Sequence, residues 1–233
     1  MKVLRSRSDS HGGLSTGIQI LVYYVSYLFA KMDTLAFKIR SLLDTADYRT
    51  WLKNVLAATP THTNKNSLIL DLCATNVDYK VSHYIEFGVA FGETAKLISN
   101  NASGNYFYSG FDTFEGLPEA WRRLNAGAFS NGGQIPKIPL DNFNFHKGLV
   151  QNTLQDLKLV DNSRKVILFD FDLYQPTLWA FKELLPYLKK DDILYFDEAF
   201  DSCERIIIEN YVLKELNVRF LSSTVFALAL IIE

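Results

Sequence analysis

The sequence contains very little cysteine. Cys73 and Cys203 are its two cysteines, and they lie far apart with no second cysteine beside either of them. This arrangement fits neither a disulfide framework nor a cysteine-ligated zinc site. We therefore expect two reduced thiols in a cytoplasmic protein.

The sequence also lacks an excess of either charge and lacks a long apolar run. Its 233 residues carry 24 basic and 26 acidic side chains, so no overall field attracts nucleic acid. The apolar run over residues 17–30 is shorter than the roughly 20 residues that cross a bilayer. No small-residue cleavage site follows this run, which argues against a signal peptide. We expect a small-molecule substrate, no nucleic-acid partner and no stable membrane insertion.

The pattern along the chain indicates three regions. Residues 1–16 are rich in serine, glycine and charge, which is typical of a flexible tail. Residues 17–66 form a predicted N-terminal helical cap and linker. Within it, apolar residues recur at helical spacing to about Leu56, and a turn-forming cluster follows at residues 59–66. Residues 67–233 form the predicted main domain.

In the main domain, strand and helix patterns alternate. Such alternation predicts an α/β fold with a mainly parallel sheet that helices cover on both faces. Only a short connector separates the last two strands, so the last strand is expected to return antiparallel. The predicted strands cover 83–88, 106–111, 143–147, 165–170, 192–197, 218–222 and 225–232, and the predicted helices cover 67–76, 92–100, 150–159, 175–188 and 201–215.

A glycine-containing turn follows the first predicted strand. Glu86 is followed by Gly88, Ala90 and Gly92 at alternate positions, immediately before a predicted helix. Small residues let a ligand approach the backbone, and the helix start offers free N–H donors. Glu86 would repel a phosphate but would accept from an ammonium, which suits the amino-acid end of S-adenosylmethionine. Similar turns also occur in α/β proteins that bind nothing there.

A second acid, Asp112, follows the next predicted strand. It lies 20 residues beyond Gly92, the offset at which an acid in such a βαβ unit accepts from the hydroxyls of a ribose. The alternative is that Asp112 caps the turn that follows it, because aspartate is a good local acceptor.

Four more acids lie at the ends of two strands that the predicted topology makes neighbours. Asp170, Asp172, Asp197 and Glu198 would bring several carboxylates together, which is unfavourable unless some are protonated or a cation lies among them. Oxygen ligands favour a hard ion such as magnesium or calcium. Alternatively, Asp172 and Glu198 cap the helices that follow.

These blocks together resemble the macrocin O-methyltransferase family of class I S-adenosylmethionine-dependent methyltransferases. The resemblance rests on Glu86–Gly92, Asp112–Pro118, Lys147-Gly148 with Thr153-Leu154, Asp170–Tyr174 with Thr177, and Phe196–Glu198, in the family's order over about residues 80–215. It implies a Rossmann-like sheet of about seven strands with a reversed last strand. It also implies magnesium-assisted methylation of a hydroxyl on a sugar or similar polyol.

The resemblance also assigns site residues. S-adenosyl-L-methionine is expected against Glu86, Gly88, Ala90, Gly92, Asp112, Thr113 and Phe114. Asp170 and Asp197 match the family's metal-binding acids and are the expected catalytic residues. Glu198, where many members have a second aspartate, is the expected third magnesium ligand.

The chain departs from the family pattern in the segment after Asp112. Members commonly carry a histidine there as general base, but this chain has none between Thr113 and Phe145. His146 is near, but it lies inside a predicted strand, where a structural role is favoured. Pro176 also replaces a small hydroxyl residue of the family pattern. An alternative hypothesis is therefore a binding or assembly protein with a methyltransferase fold and reduced chemistry.

The N-terminal helical region carries more apolar surface than one contact needs. Leu21, Val25, Leu28, Met32, Leu35 and Ile39 share one predicted face, and several aromatic residues widen it. We expect the additional apolar face to pack against a second subunit in a homodimer. Peripheral membrane association is the alternative, and the scarcity of basic residues along the polar face disfavours it.

Overall fold

The structure, a computed structural model, describes residues 16–30, 33–75 and 79–233. Most of the predicted tail and Met32 of the predicted apolar stripe lie outside the described residues. The chain divides after Asp44 into two compact units.

The N-terminal unit contains helix α1, Thr16–Ala30, and the first part of helix α2, Asp33–Leu56. The helical stripe predicted over residues 17–56 coincides with helix in both described segments of this region, residues 16–30 and 33–56. Apolar side chains of α1 are strongly exposed, among them Ile20, Leu21, Tyr23 and Tyr24. None of the helices within the described ranges is long and apolar enough to cross a membrane.

The larger unit, Thr45–Glu233, is built on a seven-stranded sheet with the order β3-β2-β1-β4-β5-β7-β6. Strand β7 is antiparallel to both of its neighbours, whereas the pairs from β3 to β5 are parallel. The predicted α/β sheet with a reversed last strand is therefore confirmed. The strands are β1 Val81–Phe87, β2 Asn105–Asp112, β3 Phe143–Lys147, β4 Arg164–Phe169, β5 Ile193–Phe196, β6 Val218–Ser223 and β7 Leu228–Ile232.

Helices cover both faces of this sheet because side chains alternate along each strand. On one face, Ile85 and Ile167 pack with Tyr48 and Leu52, which lie on the second part of α2 and are fully buried. On the other face, strand side chains pack with α3 and α4. The helices are α3 Lys65–Thr75, α4 Glu93–Asn101, α5 Val150–Thr153, α6 Tyr174–Leu184, α7 Ser202–Ile207 and α8 Leu213–Glu215, with a π-helical segment, Ile208–Val212, between the last two.

A row of phenylalanine rings crosses the sheet near the carboxyl ends of four strands. Phe87 pairs in register with Phe111 on one side and Phe169 on the other, and Phe169 pairs with Phe196. Ring centroids along the row are 5.3, 5.6 and 4.9 Å apart. Full burial of each such ring stabilises the fold by about 1.5–3 kcal/mol. The residue after each ring therefore lies at the same edge of the sheet, and these residues are Gly88, Asp112, Asp170 and Asp197.

Candidate active site

A cavity of about 520 Å³ lies at the carboxyl ends of the parallel strands. This is the edge at which ligands bind in open α/β sheets, and the volume suits a small-molecule ligand. Glu86, Gly92 and Phe114 are not among the residues that line it. Seven of the sequence-predicted site residues do line it, namely Gly88, Ala90, Asp112, Thr113, Asp170, Asp197 and Glu198.

The small residues of the turn after β1 adopt left-handed backbone conformations. Gly88, Ala90 and Gly92 have positive φ angles of 91°, 46° and 77°. A Cβ atom on Gly88 would overlap the carbonyl oxygen of Asp170, so β1 and β4 approach closely where the cavity begins. Gly92 caps the N-terminus of α4 without a side-chain hydrogen bond. Backbone therefore forms this end of the cavity, where a ligand can approach closely.

Glu86 is buried beneath this turn. Its carboxylate accepts a hydrogen bond from the hydroxyl of Tyr108. Burial raises the pKa of Glu86 to about 7, although the Tyr108 hydrogen bond and the charge of Lys65 act in the opposite direction. The predicted contact between Glu86 and the ammonium of S-adenosylmethionine stays a prediction.

Asp112 makes the backbone contacts expected of a residue that caps the following turn. One carboxylate oxygen accepts from the Phe114 N–H at 2.6 Å, and the other accepts from the Ala90 N–H at 2.7 Å. The same side chain lines the cavity. Each carboxylate oxygen has a further lone pair, so these backbone contacts fix Asp112 in place and leave it able to accept from a ligand.

Asp170 and Asp197 are brought together by a residue that the sequence analysis placed in the linker. The Lys65 Nζ atom lies 2.5 Å from Asp170 Oδ2 and 3.1 Å from Asp197 Oδ1. The hydroxyl of Tyr195 also donates to Asp197 Oδ1. Burial alone would lower the pKa of Lys65, but the charges of Asp170 and Asp197 outweigh it and raise the pKa.

Asp172 and Glu198 do not cap the helices that follow them. Helix α6 begins without a side-chain cap, and Asp201 caps α7 by accepting from the Cys203 N–H. Both acids line the cavity instead. Burial, followed by the charge of Asp197, raises the pKa of Asp172 to about 6 and that of Glu198 to about 8.

The acids do not fit a bound magnesium ion in this arrangement. No group of three or more His, Cys, Asp or Glu residues that could hold a metal occurs in the part of the chain that the structure describes. The Lys65 ammonium also contacts the two acids expected to bind the ion. The set Asp170, Asp197 and Glu198 thus shares one cavity without forming a metal centre.

The segment between β2 and β3 closes one side of the cavity. Leu117, Trp121 and Phe129 from this segment line it. Arg122 links this segment to the start of α7. Its guanidinium pairs with Asp201 and lies 4.7 Å from the centre of the Phe200 ring. His146, the nearest histidine, stacks on Phe111 with ring centroids 4.4 Å apart and does not line the cavity. Burial lowers the pKa of His146.

Sequence analysis missed both Lys65 and Arg122. A local signal for Lys65 did exist, because Asn64 caps α3 by accepting from the Ser67 N–H at 2.9 Å, which makes Lys65 the first helical residue. Nothing local indicated which strands this helix start would face. Arg122 lies in an irregular segment whose partner is 79 residues away.

Comparison with known proteins gave matches among solved structures. No protein-family model matches the chain, and a search of the curated proteins found no match. The structure of CalS11, a TDP-rhamnose 3′-O-methyltransferase of calicheamicin biosynthesis, matches with 21% identity and a TM-score of 0.52, covering 82% of this chain and 94% of CalS11. The O-methyltransferase NovP matches with 15% identity and a TM-score of 0.51, covering 71% of this chain and 76% of NovP. The chain therefore has the α/β fold that these O-methyltransferases share.

Proposed function

We propose that this protein is an S-adenosylmethionine-dependent O-methyltransferase that acts on a hydroxyl of a sugar or another small polyol. One observation carries the proposal. The glycine-containing turn with Asp112 and the cluster of Lys65, Asp170 and Asp197 line the same cavity. The first group suits a nucleoside cofactor and the second suits a hydroxyl-bearing acceptor, so the cavity can hold both reactants together.

The cofactor end of the cavity fits S-adenosylmethionine in its chemistry. Gly88 and Ala90 expose backbone, and Asp112 is held rigidly with free lone pairs for ribose hydroxyls. Thr113 lies beside Asp112 in the cavity wall. When bound, the cofactor supplies a methyl group on a positively charged sulfur.

The acceptor end offers both donors and acceptors for hydroxyl groups. Lys65 can donate, and Asp170, Asp172 and Asp197 can accept. Asp172 makes no hydrogen bond or ion pair with any other described residue, so its carboxylate is available to take the acceptor's proton. The activity that the CalS11 structure's description names, methylation of a sugar hydroxyl, supports this choice of substrate class.

The proposed reaction is a single displacement. The acceptor oxygen forms a bond to the methyl carbon, the carbon–sulfur bond breaks with its electron pair left on sulfur, and Asp172 receives the hydroxyl proton. The cavity walls supply alignment, which is a large part of catalysis in bimolecular transfers. No step of this scheme uses a magnesium ion, because the acids present do not form a site for one.

Calorimetric titration with S-adenosylmethionine, S-adenosylhomocysteine and NAD tests the cofactor assignment. We expect saturable binding of the first two and none of NAD. Asp112→Ala should weaken binding about tenfold to a few hundredfold, because charge-assisted hydrogen bonds are worth about 1.5–3 kcal/mol each.

Asp161→Ala is the matched control, since it removes the carboxylate of an exposed aspartate outside the cavity. Equal affinity of wild type and Asp112→Ala would assign Asp112 to the turn alone. Tight cofactor binding without methyl transfer to any member of a broad glycoside panel would favour the binding or assembly protein instead.

A further inference from the structure

We propose that Lys65 is the resident cation of the acid cluster, and that its ammonium takes the place of the divalent ion expected from the sequence. The cluster consists of Asp170, Asp197 and the Lys65 Nζ atom that contacts both. The catalytic consequence of this proposal rests on the proposed function, whereas the identity of the cation does not.

The position of Lys65 is fixed by its helix. Lys65 is the first residue of α3, where Asn64 caps the helix. Leu68 and Leu72 anchor the same helix in the core and are almost completely buried. The Lys65 side chain is 34% exposed, and those of Asp170 and Asp197 are 20% and 16% exposed. The ammonium therefore lies in a partly enclosed site and reaches it from an anchored element.

A fixed ammonium at this point satisfies the electrostatic need of the two acids. Two carboxylates this close repel one another unless a cation lies between them. Tyr195 occupies a further lone pair of Asp197. A divalent ion could bind the two acids only by displacing Lys65, and it would then be repelled by the displaced ammonium. The geometry consequently favours a site that works without an added metal.

The Lys65 ammonium can also donate a hydrogen bond to the reacting hydroxyl group. An ammonium carries three N–H groups, and one of those of Lys65 donates to Asp170, while the ammonium also forms an ion pair with Asp197. Lys65 lines the cavity, so a remaining N–H can donate to the oxygen of the acceptor hydroxyl. A hydrogen bond from a cation stabilises the negative charge that develops on this oxygen as its proton leaves. Lys65 would then act on the reacting atom directly.

Manganese binding, followed by electron paramagnetic resonance, tests the identity of the cation on full-length protein. Wild type should bind no Mn²⁺ at this site. Lys65→Ala leaves two uncompensated carboxylates and should gain one site per chain, which Asp170→Asn should then remove. The control is Lys190→Ala, because Lys190 is exposed just before β5, at the opposite end of the strands. One Mn²⁺ per wild-type chain, lost in Asp170→Asn, would overturn the proposal, as would a Lys65→Ala variant that binds none.

Methyl transfer tests the catalytic consequence. Wild-type turnover should be unchanged by a strong chelator, and Lys65→Ala should lower kcat about 100-fold or more while S-adenosylhomocysteine affinity stays near the wild-type value. Lys65→Arg should restore part of the rate, because it keeps the positive charge. Chelator-sensitive turnover would contradict this role. Failure of wild type to bind S-adenosylhomocysteine would instead overturn the proposed function and leave the manganese result interpretable.

Discussion

The carboxyl group of Glu86 makes the stability of the protein depend on pH. The pKa of Glu86 is about 7 in the folded protein, mainly because of burial, and lies near 4.5 without it. Between these pH values the folded state holds a proton that the unfolded state has released. The contribution of Glu86 to stability is therefore complete below about pH 4.5 and is lost as the pH rises through 7.

We expect Glu86→Gln to reduce this loss, because the amide stays neutral and can still accept from Tyr108. Melting temperatures measured from pH 5 to pH 8 should fall less steeply in the variant than in wild type. Glu93→Gln changes an exposed acid at the start of α4 and serves as the control. Parallel curves for wild type and Glu86→Gln would show that Glu86 has the same pKa in both states.

Asp172 offers a second residue-level prediction. Asp172→Asn keeps the size of the side chain but cannot take the acceptor's proton, so kcat should fall about 10²–10⁴-fold. S-adenosylhomocysteine affinity, measured by calorimetry, should stay unchanged because Asp172 lies at the acceptor end. Asp161→Asn alters an exposed acid outside the cavity and is the matched control. Unchanged turnover in Asp172→Asn would exclude this residue as the proton acceptor.

Sequence patterns located the acids of the site but not their cation. Asp112 is the last residue of β2, and Asp170 and Asp197 directly follow β4 and β5, so a local pattern and the parallel topology suffice to place the three acids at one edge. Lys65 belongs to a helix that precedes the first strand, and it reaches Asp170 across 105 residues. A contact of that kind depends on how helix and sheet pack, which local periodicity does not encode.

Among the secondary-structure elements, the turn after β1 is the least tolerant of change. Gly88→Ala should destabilise the fold by at least about 1–3 kcal/mol, the usual range for a strained backbone conformation, because its methyl group would also overlap Asp170. Chemical denaturation measures this loss. Gly104→Ala is the control, since Gly104 also has a positive φ, 76°, but an added Cβ meets nothing within 4 Å. Equal losses in the two variants would show that the close approach of β1 and β4 contributes nothing.

The strands were easier to predict than the surroundings of the N-terminal helices. Strands β5 and β7 consist of apolar residues, and the predicted segments overlap every strand of the described sheet. Helical spacing of apolar residues matches the described helices α1 and α2, but it does not show what their apolar faces pack against. The buried side chains of Tyr48 and Leu52 were likewise assigned to a cap, because periodicity shows that a face is apolar but not what covers it.

At the level of the whole molecule, the exposed apolar surface of α1 predicts self-association. Leu21 and Tyr24 are each 61% exposed, and large apolar patches on soluble proteins usually mark contact surfaces. We expect a homodimer by light scattering and a monomer for the double variant Leu21→Glu, Tyr24→Glu. Tyr187→Glu changes an exposed aromatic residue of the larger unit and is the control. A monomeric wild type that sediments with anionic vesicles would contradict the dimer.

The strands that carry the row of phenylalanine rings also set the distance between the backbones of Asp112 and Asp197. Asp112, Gly88, Asp170 and Asp197 follow rings on four successive strands, and strands lie about 4.8 Å apart. Three such steps separate the backbone of Asp112 from that of Asp197 by roughly 14 Å. This separation is a property of the backbone hydrogen bonds, so changes to side chains cannot adjust it. The separation leaves room for two small molecules in a row along this edge of the sheet, one beside Asp112 and one beside Asp197.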